Sequence, residues 1–115
     1  MTGRVAARVD QNHRAVVKAL REAGASVTSL AGVGKGCPDC VVGIPTGPDS
    51  GETHLAEIKN GFVVPSRRTL TPDQVDFIDQ WKGSAVVILL GEVQAREWVR
   101  RVRAPLKDDH DKYPS

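Results

Sequence analysis

The sequence predicts a small α/β domain with a mixed sheet flanked by helices, in the order α-β-β-β-α-β-α. Three observations lead there. Segments of helical period beginning at Asp10, Pro72 and Glu92 alternate with short apolar runs of strand length. Clusters rich in glycine and proline separate those runs. A chain of 115 residues has room for one modest core, so a single domain is expected.

Each element has its own signal. Residues 1–9 read as a flexible lead. Over 10–23, His13, Val16, Val17 and Leu20 form an apolar stripe, Arg14, Lys18 and Arg21 point outward, Asp10 suits the N-cap and Gly24 the residue after the helix. "ASVTSL" at 25–30 suits a first strand, and "AGVGKGCP" a glycine-rich loop. "DCVVGI" at 39–44 and "THLAEIK" at 53–59 form a hairpin around the turn-like "PTGPDSGE". Thr71 caps the next helix, with Pro72 at its first position and Gln74 closing a capping box. Val75, Ile78 and Trp81 make its inner stripe, widened by Phe77, and Gly83 stops it. "SAVVILL" at 84–90 is a buried strand, and 92–103 a last helix with Val93, Trp98 and Val102 facing inward. Residues 105–115 read as a flexible tail, which leaves 10–104 as the domain.

Composition excludes some classes and leaves others open. The net charge of +2 identifies no partner. Basic residues crowd 4–35 and the last helix, which permits a polyanion surface, although solvated faces have the same composition. No apolar run reaches the ~20 residues needed to span a bilayer. The start "MTGRVAARVD" has no apolar signal region, so a cytoplasmic location without membrane contact is expected. "GVGKG" is not a phosphate-binding loop of the Walker type, since that spacing needs glycine at Ser29. Nothing in the motifs calls for an organic cofactor.

The informative residues are Asp39, Glu57 and Lys59. Glu57 and Lys59 lie two apart on one strand and share a face. The hairpin brings the start of its first strand, at Asp39, beside the end of its second. Two converging carboxylates make an oxygen site for a hard cation. Magnesium takes one or two protein carboxylates and keeps several waters. Such an ion activates water and neutralises phosphate charge, and a lysine beside it stabilises the transition state.

Pro38–Asp39 followed by "EIK" at 57–59 matches the PD-(D/E)XK nuclease signature. The wider set "GVGKGCPDCVVG … HLAEIKNG … LTPDQVDFIDQWKGSAVVIL" resembles the small VRR-NUC domains of phages and prophages. The resemblance covers about Asp10 to Leu90. It implies a restriction-endonuclease-like α-β-β-β-α-β core, here with an added C-terminal helix. It also implies a magnesium-dependent deoxyribonuclease, with manganese as substitute, that cuts DNA by direct in-line attack and leaves a 5′-phosphate. Branched DNA, as junctions or flaps, is the implied substrate, within DNA repair or recombination in a bacterial host cell; single-strand or nicking activity is equally compatible with these residues. Asp39 and Glu57 then bind metal, the Ile58 carbonyl adds a ligand, Lys59 is the catalytic lysine and Gln74 supports the site. Family members usually carry an acid in the first helix. Asp10 is the nearest match, at a spacing from Leu20 that departs slightly from the usual pattern. Stand-alone members are similar to junction resolvases, so a homodimer is expected, with Phe62, Val63, Val64, Trp98 and Val102 as apolar candidates for its interface.

Plainer readings stand beside these. Asp39 can cap a turn, and Glu57 with Lys59 can be an edge-strand ion pair. Gln74 can serve the capping box alone; on the sequence, site support requires its side chain to turn away from the cap. Lys35, in the glycine loop, and Arg67 and Arg68, in the loop before the Gln74 helix, suit nucleic-acid phosphates, but also plain solvated loops. Cys37 and Cys40 invite a zinc or thiol reading, for which only the scattered His13, His54 and His110 supply further ligands. The remaining alternative is a catalytically silent DNA-binding or assembly module on the same fold.

Overall fold

The computed structural model describes the backbone over 2–61 and 69–112, and side chains over 11–61 and 69–103. Its elements are α1 (Thr2–Glu22), β1 (Ser26–Ser29), β2 (Cys40–Gly47), β3 (Ser50–Ile58), α2 (Pro72–Gln80), β4 (Val87–Leu89) and α3 (Glu92–Lys112). The order is the one expected. The four strands form one mixed sheet ordered β1-β2-β3-β4, antiparallel across the first two pairs and parallel between β3 and β4. The segment containing α2 supplies the long crossover that parallel pairing needs.

One face of the sheet holds the core. Cys40, Val42, Ile44, Ala56, Ile58 and Leu89 point there and meet Val16, Ala19 and Leu20 of α1 and Ala95, Trp98 and Val99 of α3. Alternation along β2, with Val42 and Ile44 fully buried and their neighbours less so, follows from the two-residue period of a strand. Two contacts tie α1 to α3: Arg96 to Glu22 at 2.9 Å, and Arg103 donating to the Ala23 carbonyl at 2.8 Å. These two arginines therefore hold the helix pair together, where the sequence suggested a solvated face. Gly24 ends α1 with φ +108°, as expected for the residue after a helix.

Several boundaries differ from expectation. α1 starts at Thr2, so 2–9 are helical and Asp10 lies inside the helix instead of capping it. Nothing after Gly3 breaks helix there, and Val5, Ala6 and Ala7 extend it. α3 likewise runs to Lys112 through Pro105, at the loss of one backbone hydrogen bond. The hairpin strands reach Gly47 and Ser50, leaving a tight turn. Pro45 fits within β2 because β1 ends opposite Gly43 and demands no N–H beyond it.

The largest correction concerns α2. It has no buried residue; Val75 is 41% and Trp81 43% exposed. Trp81 ends the helix, stacks on Phe77 at 5.5 Å and donates to the Ser84 carbonyl at 3.0 Å. Helical period alone reports an apolar stripe, not what covers it. With α1 and α3 both on the other face, α2 meets the rest of the fold through its first turn.

Candidate active site

The site forms where β2 begins and β3 ends. The Leu30 amide donates to the Asp39 carbonyl at 2.8 Å, extending the β1–β2 ladder by one step. Asp39 therefore stands one residue ahead of β2. Extending the Cys40–Ala56 register by one step sets Asp39 opposite Glu57. Such cross-strand neighbours have Cβ atoms about 5 Å apart. The Ile58 amide, just beyond Ala56 and Glu57 on β3, donates to Asp39 Oδ2 at 2.7 Å.

Glu57 is 4% exposed. Its strand has neighbours on both sides, so the edge-strand reading fails. Burial raises its pKa to about 8, helped by the hydrogen bond a protonated Glu57 makes to Asp39 and by the Asp39 charge, while Lys59 pulls the other way. Among the described residues Lys59 makes no ion pair with Glu57. Its ammonium donates to Gln74 Oε1 at 2.9 Å.

Lys59 is fixed at three atoms. Its amide donates to the Leu89 carbonyl at 2.9 Å, Nζ reaches Gln74, and its carbonyl accepts from Asn12 Nδ2 at 3.2 Å. Asn12, 7% exposed, is the site residue the sequence reading missed. It stands four before Val16, a polar amide on the apolar stripe of α1, and that mismatch was the available signal.

Gln74 makes the capping-box contacts and the contact to Lys59 at once. The Gln74 amide donates to Thr71 Oγ1 at 3.2 Å, and Gln74 Oε1 accepts from the Thr71 amide at 2.9 Å, completing the capping box. The same oxygen holds Lys59 through its second lone pair. No turning away is needed, contrary to the sequence expectation.

The glycine loop anchors this helix start. The Cys37 amide donates to the Gly34 carbonyl at 3.1 Å, with Lys35 and Gly36 between them at φ +55° and +77°. Positive φ at both central residues defines a type I′ turn. A Cβ on Gly36 would overlap the Asp73 carbonyl, so the turn rests directly on the first turn of α2. Lys35 is exposed at its tip.

The thiols flank Asp39. Cys40 is pushed up to about 11 by burial and by the Asp39 and Glu57 charges, and Cys37 is raised for the same reasons. A zinc site built on Cys37 and Cys40 needs both as thiolates and one or two further ligands. Among the described residues no three His, Cys, Asp or Glu side chains converge on one point. His54 packs edge-on against Trp98 at 5.4 Å on the other face. The donor set is two carboxyls and nearby backbone, which suits a cation that keeps its waters and does not suit zinc. Asp10 is helical backbone whose side chain lies outside the described residues, as do His110, Phe62, Val63, Val64, Arg67 and Arg68.

Comparison with known protein families, curated proteins and solved structures returns no match for this chain. Among the described residues no helix is long and apolar enough to cross a membrane.

Proposed function

We propose that this protein is a metal-dependent nuclease that hydrolyses DNA phosphodiesters at Asp39, Glu57 and Lys59, on a restriction-endonuclease-like core. One observation carries the reading. A glutamate 4% exposed is set against a second carboxyl, while the nearest lysine is drawn off to Gln74. Burying one carboxyl against a second, half-buried one costs several kcal/mol, on the order of the penalty per buried ion, unless a cation or a proton compensates. A structural ion pair would have placed Lys59 on Glu57.

Asp39 and Glu57 are the residues that would hold magnesium or manganese, with the Ile58 carbonyl as a third oxygen. The ion supplies positive charge beside the phosphate and eases deprotonation of water there. Asp39 is oriented by the Ile58 amide, so one of its oxygens stays turned toward β3. The three donors of the Lys59 ammonium exceed what Gln74 Oε1 accepts, leaving protons for a phosphate oxygen as charge builds on it. Gln74 and Asn12 position that lysine from two sides. Lys35 reaches for the backbone of the same strand, and a second copy of the chain would supply a second site.

The test is strand scission. Purified protein is incubated with magnesium or manganese and with branched, flapped, single-stranded and linear DNA. The parent should cut at least one of these, and Asp39→Asn none. A silent DNA-binding module would bind DNA but cut nothing in either metal.

A further inference from the structure

On the sheet face away from Glu57, α1 and the edge strand β1 leave a cleft of about 690 Å³. Its floor is apolar, formed by Val17, Val27 and Cys40. Its helical rim is basic: Arg14, Lys18 and Arg21 recur at the spacing that makes one stripe. The single acid in the lining, Glu22, is paired with Arg96 at 2.9 Å. Arg21 donates across the outer end to the Val27 carbonyl at 3.0 Å. Among the described residues Arg14 and Lys18 have no anionic partner.

The inner end of the cleft adjoins the catalytic end of the sheet. Ser29 and Cys40, paired across the β1–β2 ladder, line it there. Cys40 follows Asp39 directly, and the residue after Ser29 holds the Asp39 carbonyl. His13, also in the lining, follows Asn12, which holds the Lys59 carbonyl. The catalytic carboxyls lie on the other face of the sheet, so a strand whose phosphate reaches Asp39 and Glu57 comes to this cleft by turning around the sheet end at Leu30 and Asp39.

We infer that the α1–β1 cleft receives one unpaired nucleotide of the DNA strand being cut, with its base on the Val17–Val27 floor and its backbone along Arg14 and Lys18. This rests on the nuclease reading and adds a subsite for an unpaired nucleotide to it. The volume lies within the range of small-molecule sites, roughly 300–1,000 Å³. Unpaired cations on the rim complement a phosphate chain. A paired base cannot enter without leaving its stack, which costs a few kcal/mol, so the cleft favours flaps, loops and open branches over intact duplex. Among the described residues the His13 imidazole is the one aromatic ring in the lining, at the inner end, while the floor itself encloses the base between the β-branched Val17 and Val27.

Binding is measured by fluorescence anisotropy in EDTA, where nothing is cut. The probes are a short fluorescein-labelled oligothymidylate, the same strand with abasic residues at its centre, and a blunt duplex of equal length. The parent should prefer the base-bearing strand by about tenfold, the scale of one buried base contact. Val17→Trp, which fills the floor, should abolish that preference while leaving affinity for the abasic strand unchanged. Ser29→Trp, at the exposed strand rim, gives the same test should Val17→Trp fail to fold. Arg14→Glu with Lys18→Glu should weaken both strands and flatten the salt dependence. Equal binding of base-bearing and abasic strands by the parent, absence of single-strand binding, or a preference that survives filling would overturn the cleft. Failure of the nuclease reading would show separately, as binding without scission in magnesium or manganese.

Discussion

Glu57 carries the most information per atom. Its folded value of about 8 stands above the 4.5 of a free glutamate, so the folded chain keeps a proton that the unfolded chain releases. The stability this contributes is complete below pH 4.5 and is lost as pH rises through about 8. Without metal, Glu57→Gln should therefore melt with the parent at pH 4 and above it at pH 8, by about 4 °C or more for each kcal/mol recovered. Manganese should raise the parent's melting temperature at pH 8 and leave that of the variant unchanged. Melting curves that move together at both pH values would mean that Glu57 is not buried against Asp39. Lys59→Ala should abolish scission yet keep the manganese-induced shift, because in the proposed mechanism the lysine acts on the phosphate and not on the ion. Lys35 shows strain of a different kind. At φ +55° a lysine costs about 1 kcal/mol relative to a residue that tolerates the left-handed region. Lys35→Asn should stabilise the fold by about 0.5–1 kcal/mol in urea denaturation and weaken cleavage, a trade seen where strain is kept for function. Much at this scale was legible in the sequence. Asp39, Glu57, Lys59 and Gln74 stand out as charged or amide groups at strand and helix ends. Asn12 was not, because a long-range bond from an amide to a backbone carbonyl leaves no local spacing to read.

At the scale of elements, the site depends on where α2 begins. Its first turn is held by the capping box, by Gln74 on Lys59 and by Gly36 beneath Asp73. Gly34 and Gly36 separate two effects that a glycine can have. Both have positive φ, at +73° and +77°, but a Cβ on Gly34 meets nothing within 4 Å while one on Gly36 meets the α2 backbone. Gly34→Ala should cost about 1 kcal/mol, the strain alone. Gly36→Ala should cost about 2 kcal/mol or more and should also lose scission, because it lifts Gln74 away from Lys59. Equal activity in the two variants would detach the loop from the chemistry. The element order and the α2 start were readable because caps, prolines and turn glycines are local signals. The far ends of α1 and α3 were not, since the α3 extension is polar and contains Pro105, and Asp10 offers a cap-like residue inside α1. Nor was the exposure of α2, which depends on which sheet face the other two helices occupy.

At the scale of the whole molecule, α2 leaves an apolar stripe uncovered, and that bears on assembly. A single site cuts one strand, whereas two copies related by a two-fold axis can address both strands of a symmetric junction. Two residues expected at such an interface are spent elsewhere: Trp98 is 8% exposed within the core, and Val102 packs against it. Val33 in the glycine loop and Val93 on α3, the latter expected to face inward, are exposed singly, whereas α2 gathers its exposed apolar groups on one stripe: Val75 is 41% and Trp81 43% exposed, with Phe77 stacked on Trp81. An amphipathic helix with no buried residue has left its stripe free, and an isologous pairing of two such helices would cover both copies by one contact. The helix that carries Gln74 would then also be the helix that joins the copies, so loss of the dimer should loosen Lys59. Light scattering behind a sizing column should give twice 12.4 kDa for the parent. Val75→Glu, a surface change that leaves Gln74 and the capping box intact, should return the mass to that of one chain and reduce scission of branched DNA. A parent mass of 12.4 kDa at micromolar concentration, with full activity, would leave a single-site enzyme that cuts one strand per encounter.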